Sequence, residues 1–409
     1  MPLFVRSGAT LFTAQTGGIV RAFDAKAGAE KWRFTLDGIG TPAAGKPNAK
    51  PAKAVELTTP IVTKGILITS AYWMEDDTSP TSTGRIIALD AHTGHELWRR
   101  TTNGVAHMAF AGELLLFVPR GGPYRPDGTD ALYAVNVKTG KGVWEFTHRT
   151  HDIQNFFPHS DAIIVSRMGG GLLSGLNPAT GKEDWFREPG IDVDQPAFSV
   201  GGAAVVIGDS FETRKVDGYT TDSAHICCVV ASTGRVLWKR TFEHSSSSGI
   251  TLDGLLYIHA DSQLLALDPL TGQKIWSQVS ISAEAVSQTP AVRDGVVSVG
   301  WGVHSDRDIT KFPIAGFDSA TGRKKWSFEL PMSGARPAVI AGRTAFVTVL
   351  LKKGVSDYQL LLAVDVQRGT TLWKREIDPT ATVEVDGDLI RVYGREIDVL
   401  NRRTGRPVR

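Results

Sequence analysis

Residues 263–276, QLLALDPLTGQKIW, contain a complete β-hairpin in one stretch of sequence. Four apolar residues form a buried strand, Asp268 ends it, a Thr-Gly pair makes the turn, and the return strand reaches Trp276. Gly272 can adopt the positive φ that the corner of such a turn requires. The Asp268 side chain can accept hydrogen bonds from turn amides. The Trp276 indole can bury roughly 150–250 Å² between neighbouring sheets, so this stretch predicts both a turn and the residue that packs it.

The same pattern recurs eight more times along the chain, at intervals of 36 to 66 residues. Glycine precedes tryptophan by four positions in the eight copies that have tryptophan, and the ninth copy ends in Arg409 instead. Asp or Asn lies four positions before the glycine in eight of the nine copies, the exception being Val230. A period of about 40–50 residues with several strands per unit is typical of a β-propeller. We therefore assign eight tryptophans to the architecture: Trp32, Trp98, Trp144, Trp185, Trp238, Trp276, Trp326 and Trp373.

Each hairpin is preceded by a short apolar strand and a further strand that is opened in several copies by proline. The repeat is therefore predicted to be four antiparallel strands, A to D, which form one propeller blade. Nine repeats are counted, but the ninth has almost no D strand. We predict an all-β fold, one β-propeller domain over residues 1–409, with eight blades in which the terminal repeats share or supplement a blade. A nine-bladed ring is the alternative. The repeats begin near Pro2, Pro60, Ala106, Gln154, Gln195, Gly249, Thr289, Arg336 and Thr382.

Composition excludes several classes of protein. Forty-five basic and 43 acidic residues give a net charge of +2, which supports neither a nucleic-acid partner nor an anionic-membrane partner. The basic C-terminus is interpreted as the solvated end of a strand. No apolar run is long enough for a membrane span, and the N-terminus lacks the pattern of a signal peptide. We expect that a leader, anchor or upstream domain has been removed or lies outside this chain, and that the protein is a monomer.

The ALDxxTGxxxW pattern resembles the tryptophan-docking motif of the quinoprotein (PQQ-like) β-propellers, and the resemblance covers essentially the whole chain. That family includes PQQ-dependent alcohol dehydrogenases. It also includes non-enzymatic members, such as the propeller lipoprotein of the outer-membrane β-barrel assembly machinery and sensor propellers attached to bacterial kinases. The resemblance implies the fold, whereas function depends on sites added to the fold. It also implies an extracytoplasmic location.

One alternative function is a PQQ-dependent alcohol or sugar dehydrogenase. The resemblance then implies PQQ held with calcium, a carboxylate base, and a disulfide between adjacent cysteines beside the cofactor. The adjacent pair Cys227 and Cys228 replaces buried strand residues of the repeat, and consecutive strand residues point to opposite faces. We interpret them as two buried free thiols. The connecting loops are also short, so we favour a non-catalytic binding or scaffolding module without a cofactor.

A protein, peptide or small ligand is expected to bind where the B–C and D–A connections emerge, because sequence variation concentrates there and the Thr-Gly turns at the other end are uniform. Loops on a rigid scaffold commonly carry function, and aromatic, Arg, His and Asp groups are frequent at recognition surfaces. The starts of the A strands are predicted to line a central opening. The binding candidates are Trp73, Asp76, Asp77, His107, His148, His151, Gln195, Trp301, Asp306, Asp308 and Arg336.

His148 and His151 have a spacing that could bind a metal, but their ligands would have to meet on one loop beside Arg149. We therefore predict no metal site. Replacing Trp276 with alanine is expected to cost a few kcal/mol. Replacing Trp73 or Trp301 should barely change stability if these residues serve recognition.

Overall fold

The structure, a computed structural model, is built from β-strands throughout its described part. No described helix is long and apolar enough to cross a membrane. The described residues are 3–15, 17–36, 55–74, 82–121, 131–147, 153–167, 171–189, 198–216, 219–242, 250–260, 263–279, 286–287, 290–305, 308–330, 335–353, 356–368, 370–379, 381–394 and 397–408.

The chain divides into two compact units, Met1–Arg187 and Glu188–Arg409. The first unit contains repeats 1 to 4. Its strands are β1 (Leu3–Ser7), β2 (Thr10–Gln15), β3 (Ile19–Asp24), β4 (Glu30–Thr35), β5 (Glu56–Leu57), β6 (Ile61–Thr63), β7 (Ile66–Met74), β8 (Ser82–Asp90), β9 (Glu96–Ala111), β10 (Leu114–Gly121), β11 (Ala131–Asn136), β12 (Gly142–Thr147), β13 (Ile153–Pro158), β14 (Ile163–Arg167), β15 (Leu172–Leu176) and β16 (Glu183–Arg187).

The second unit contains repeats 5 to 9. Its strands are β17 (Phe198–Val200), β18 (Ala203–Val216), β19 (Tyr219–Val230), β20 (Val236–Phe242), β21 (Ile250–Asp253), β22 (Leu255–Ala260), β23 (Gln263–Leu267), β24 (Lys274–Val279), β25 (Val286–Ser287), β26 (Ala291–Arg293), β27 (Val296–Ser305), β28 (Asp308–Asp318), β29 (Lys324–Leu330), β30 (Ala335–Ala341), β31 (Thr344–Lys353), β32 (Ser356–Asp365), β33 (Thr370–Ile377), β34 (Thr382–Asp386), β35 (Leu389–Tyr393) and β36 (Ile397–Asn401).

Every repeat is an antiparallel meander, as in β21-β22-β23-β24. Strand β9 serves two repeats, because its first half pairs with β8 and its second half with β10. In repeats 2 and 7 two short strands share the A position. The ninth repeat has the three strands β34-β35-β36. The all-β propeller fold and the four-stranded antiparallel repeat are therefore confirmed. The eight-blade count and the single domain over residues 1–409 stay predictions.

Successive sheets within each unit pack face to face and share a hydrophobic core. One cluster, for example, joins Leu264 and Ala266 of repeat 6 to Val297, Val299 and Phe317 of repeat 7. Alternation along each strand gives every inner sheet two apolar faces, one for each neighbour. The core is thus a series of layers between sheets, and each layer depends on the residue that closes it at the outer strand.

Tryptophan closes these layers. The Trp276 indole lies against Gly322 of the next repeat and donates Nε1–H to Ser319 O at 3.0 Å. The same two contacts join five further pairs of repeats, with hydrogen bonds of 2.8 to 3.1 Å from Trp32, Trp98, Trp144, Trp238 and Trp373. The prediction that this residue packs between neighbouring sheets is confirmed for these six.

A small residue lies directly opposite each repeat tryptophan on the adjacent C strand. Ala266 pairs with Trp276, and the ladder shifts by one residue just after this pair. The same shift occurs in all eight C–D pairs of the described strands. The opposing residue is alanine in five of the eight pairs, glycine in two and cysteine in one, namely Ala22, Ala88, Ala134, Ala266, Ala363, Gly175, Gly316 and Cys228.

Candidate functional site

The two ends of the sheets differ in character. The described C–D turns share one backbone structure, typified by Asp268, whose Oδ1 accepts hydrogen bonds from Leu270 N at 3.0 Å and from Thr271 N at 2.7 Å. The Thr271 hydroxyl donates to the same oxygen at 2.9 Å, and Gly272 N donates to Asp268 O at 2.8 Å. Such side-chain acceptors satisfy amides that would otherwise lack partners. In repeat 5 Val230 takes the place of the Asp or Asn, and the turn keeps its backbone hydrogen bonds. This end of the repeats is therefore uniform scaffold.

The cap carboxylates make this scaffold sensitive to acid. The side chain of Lys325, followed by Thr321, donates hydrogen bonds that lower the pKa of Asp318 to about 2. The pKa values of Asp90 and Asp268 are also lowered, mainly by the backbone and side-chain hydrogen bonds of the turn threonine. A lowered folded-state pKa stabilises the fold above the unfolded-state value of about 4, and this contribution is lost as the pH falls towards the folded-state value.

Replacing Asp318 with asparagine is therefore expected to flatten the fall in stability between about pH 4 and pH 2. Asparagine keeps the Oδ1 acceptor, as Asn136 shows in its own turn, but it cannot lose a charge. Urea midpoints measured across this pH range test the prediction. Asn136→Asp is the reverse control and should steepen the fall. Parallel pH curves for wild type and both variants would contradict the prediction.

The B and C strands, which are joined at the opposite end of the sheets, vary widely in length from repeat to repeat. In the second unit, β18 and β19 have 14 and 12 residues, whereas β22 and β23 have six and five. The B–C pairs of repeats 7 and 8 are also long, with 10 or 11 residues per strand. In the first unit, β7 and β8 have nine residues each against five for β14 and β15. We call β18–β19, β27–β28 and β31–β32 the extended hairpins.

The extended hairpins are paired along most of their length. Strands β31 and β32 pair without interruption from Thr344↔Asp365 to Lys353↔Ser356. Strands β18 and β19 pair as far as Val216↔Tyr219, with an irregularity between Ser210 and Arg214. A paired hairpin loses less conformational entropy on binding than a loose loop does. These hairpins are therefore preorganised arms and not long loops.

Polar side chains fasten the D–A connections to the bases of the long hairpins. In the amide orientation that satisfies both ends, Gln359 donates to Asp378 O at 3.1 Å and accepts from Thr348 Oγ1 at 3.2 Å. In repeat 2, Thr58 lies between the two short strands of the A position and is bonded to β7: Thr58 N donates to Ser70 O at 2.8 Å, and Ser70 N donates to Thr58 Oγ1 at 3.0 Å. These bonds hold the chain that flanks the A position against the B or C strand in repeats 2 and 8.

The structure revises the place of Trp73. Its indole is only 7% exposed and belongs to the core cluster between repeats 1 and 2, with the Arg85 guanidinium 5.1 Å from the ring centroid. Strand β7 continues through this residue, so Trp73 lies on the same buried face as Leu67 and Ala71. The expectation that its removal barely changes stability is therefore replaced by an expected loss.

The other binding candidates are only partly placed. His107 is exposed, and its ring lies 4.9 Å from that of Phe156 in the next A strand. For three candidates the backbone alone is described: Trp301 pairs with Ser287, Asp308 with Ser305, and Arg336 with Thr348. The remaining candidates lie outside the described residues: Asp76, Asp77, His148, His151, Gln195 and Asp306. All of these assignments stay predictions.

The cysteine pair does not fit the role that a PQQ site would give it. Cys227 and Cys228 are both buried free thiols on β19, paired with Val206 and Val205. Burial raises the pKa of Cys227 to about 12 and that of Cys228 to about 11, so both are unreactive thiols at neutral pH. Cys228 lies opposite Trp238, where other repeats have alanine or glycine. The interpretation as packed free thiols is confirmed.

Metal-binding geometry is likewise missing from the part of the chain that the structure describes. There, no three His, Cys, Asp or Glu side chains are grouped so that they could hold an ion. The pair His148 and His151 lies outside that part.

Two buried arginines were not anticipated from the sequence. Arg167 is 1% exposed and donates to Glu183 Oε1 at 2.6 Å. Its guanidinium lies 5.6 Å from the ring centroid of Phe146 and 5.2 Å from that of Phe186. Arg391 is 2% exposed and lies 3.6 Å from Glu384, which also accepts a hydrogen bond from the Tyr393 hydroxyl. Buried charges are retained when paired in this way. An arginine that ends or interrupts an apolar strand is the signal that could have predicted them.

Comparison with known proteins identifies the family of this chain and several of its relatives. A family model described as outer membrane protein assembly factor BamB matches residues 16–192 and 210–390. BamB of Bordetella pertussis is 24% identical over 303 residues, covering 72% of this chain and 68% of the relative. BamB of Yersinia pestis is 22% identical over 213 residues, covering 48% of this chain and about half (52%) of the relative.

Enzymes of the same fold are also similar. Quinohemoprotein alcohol dehydrogenase of Comamonas testosteroni is 24% identical over 220 residues, which cover 51% of this chain but 24% of the enzyme. The crystal structure of BamB from Moraxella catarrhalis aligns with a TM-score of 0.49 and 15% identity, covering 89% of this chain and 91% of that one. Because the family model matches most of the chain, the protein belongs to the family described as outer membrane protein assembly factor BamB.

Proposed function

We propose that this protein is a non-catalytic scaffold that docks a protein partner on its extended hairpins. The observation that carries the proposal is the contrast between the two ends of the repeats. The C–D turns keep one structure, whereas the B–C hairpins of the second unit range from five to 14 residues per strand. Elements that vary on a constant scaffold are the usual carriers of recognition.

The family supports a protein as the partner. The relatives named BamB are assembly factors for outer membrane proteins, so we propose an outer-membrane assembly protein as the partner and a location outside the cytoplasm. Paired strands and fixed D–A connections suit a folded partner, because a preorganised surface binds with less loss of entropy. The proposal includes no cofactor. No described feature favours the dehydrogenase alternative enough to propose it.

Site-specific crosslinking in the native cells tests the proposal. A photo-reactive amino acid is placed at Lys215 of β18 and at Lys353 of β31, near the ends of two extended hairpins. Matched control positions are Arg235 and Gln273, which lie exposed in the C–D turns of repeats 5 and 6. We expect one dominant protein adduct from the hairpin positions, identified by mass spectrometry as an outer-membrane assembly protein, and little adduct from the turns.

Equal yields from hairpin and turn positions would contradict the proposed surface. A second variant separates binding from folding: residues 209–224 are replaced by Asn-Gly, which joins the paired residues Gly208 and His225 by a two-residue turn. This variant should keep the melting temperature of the wild type and lose the adduct at Lys353. Retention of the adduct would show that β18–β19 does not contribute to docking.

A further inference from the structure

The C–D hairpins of repeats 7, 8 and 9 concentrate positive charge. The segments 318–326, 365–375 and 397–408 each contain three basic residues and one acidic residue. Each segment therefore has a net charge of +2 and the three together +6, against +2 for the whole chain. The rest of the protein thus has a net charge of −4. The small total charge conceals this separation, which is why composition alone gave no sign of it.

The fold brings the three hairpins side by side. Trp326 of repeat 7 shares a core cluster with Val364 and Val366 of repeat 8. Trp373 of repeat 8 donates to Arg402 O of repeat 9 at 3.1 Å and lies against Gly405. Successive turns are therefore neighbours, and their basic residues form one surface. We call it the basic turn surface.

Most of these cations have no ion-pair partner among the described residues. Three are paired: Lys325 with Asp318 at 3.0 Å, Arg375 with Asp398 at 4.0 Å, and Arg402 with Asp388 at 3.4 Å. The other six are exposed and form no ion pair within the described part of the chain, namely Arg323, Lys324, Arg368, Lys374, Arg403 and Arg406. Over eleven positions from the start of the turn, repeat 6 has only Lys274 beside Asp268, whereas repeat 5 has Arg235, Lys239 and Arg240.

Exposed aliphatic side chains lie among these cations. Leu372 is 54% exposed beside Lys374, and Val408 is 44% exposed beyond Arg406. Basic residues with interspersed aliphatic ones are typical of surfaces that meet lipid headgroups, where the aliphatic groups reach the acyl boundary. A surface for single-stranded nucleic acid would instead present aromatic rings for base stacking.

We propose that the basic turn surface binds an anionic lipid membrane. Its cations are spread over three neighbouring turns, as contact with an extended polyanionic surface requires. Each basic residue near such a membrane contributes about 1 kcal/mol, which is roughly a fivefold change in affinity. The extended hairpins of repeats 7 and 8 leave the opposite end of the same sheets, so membrane binding leaves them accessible. This inference does not depend on the proposed partner of the hairpins.

Vesicle sedimentation with the full chain tests the inference. The vesicles are phosphatidylcholine with or without about one third phosphatidylglycerol, at about 0.05 M and about 0.3 M salt. The test variant carries Arg323→Gln, Lys324→Gln, Arg403→Gln and Arg406→Gln. The matched control removes the same charge from exposed residues at the C–D turns of the first unit, by Lys26→Gln, Lys138→Gln, Lys141→Gln and Lys182→Gln. Equal melting temperatures of both variants and wild type establish that folding is unaffected.

The wild type should bind only the anionic vesicles, more weakly at the higher salt concentration, and the test variant at least about tenfold more weakly. The control variant should bind like the wild type. Equal loss in both variants would overturn the inference, because net charge and not the basic turn surface would then be responsible. Binding to polyglutamate or to duplex DNA without binding to anionic vesicles would also overturn it, and would identify an acidic polypeptide or a nucleic acid as the ligand.

Discussion

Replacing Trp276 with alanine is expected to lower the free energy of unfolding by about 3–5 kcal/mol. The indole is 8% exposed and closes the core layer between repeats 6 and 7. Its removal leaves a cavity above Gly322 and takes one of the two donors from Ser319 O, to which the Tyr257 hydroxyl also donates at 3.0 Å. A loss of this size is a large part of the stability of an ordinary domain.

Urea unfolding followed by circular dichroism measures this loss. Ile275→Ala is the matched control, because Ile275 is the adjacent residue and is 50% exposed. It should change stability by no more than about 0.5 kcal/mol. If Trp276→Ala cost no more than Ile275→Ala, the indole would not close the layer in solution.

Trp73→Ala provides an internal comparison. The residue lies outside the repeated hairpin pattern, but its burial matches that of Trp276. We now expect a loss of about 3 kcal/mol, in contrast to the near-neutral effect expected from the sequence. A near-neutral effect would restore Trp73 as a candidate for recognition. For Trp301 the structure describes the backbone alone, so the expectation that its replacement barely changes stability stays a prediction.

The sequence predicted correctly those features that are determined by residues close together in the chain. A C–D turn is determined by residues within five positions of each other, as in Asp268, Thr271 and Gly272, so its structure could be read directly. The two-fold alternation of a buried strand is equally local, and following it from Leu67 through Ala71 would have placed Trp73 in the core. The prediction of Trp73 as a binding candidate rested instead on its residue type.

The extended hairpins could not be predicted in the same way. Strands β18 and β19 continue through DSFETRKV and YTTDSAH, which have little apolar alternation and resemble loop sequence. They pair because the inner parts, such as Val205↔Cys228, fix the register of the whole hairpin. Pairing that is imposed from a distant core leaves no local pattern. The binding candidates were chosen by residue type, so their arrangement in space lay beyond sequence reasoning.

Replacing Gly272 with alanine is expected to cost about 3 kcal/mol, for two separate reasons. Gly272 has φ of 66°, where a side chain costs about 1–2 kcal/mol. A Cβ at this position would also lie 2.6 Å from Cδ2 of Trp238. That indole is held by its hydrogen bond to Pro269 O at 3.0 Å and by the core cluster of repeats 5 and 6. It cannot move away freely, and overpacking of this kind costs about 1–3 kcal/mol.

Gly254 separates the two reasons. Its φ of 71° is similar, but an added Cβ would meet nothing within 4 Å. Gly254→Ala should therefore cost only the backbone term of about 1 kcal/mol. A double-mutant cycle gives the decisive measurement: in a Trp238→Ala background, Gly272→Ala should also cost only about 1 kcal/mol, because the ring that it displaces is gone. An unchanged penalty in that background would mean that the glycine is required by the turn alone and not by the tryptophan of the preceding repeat.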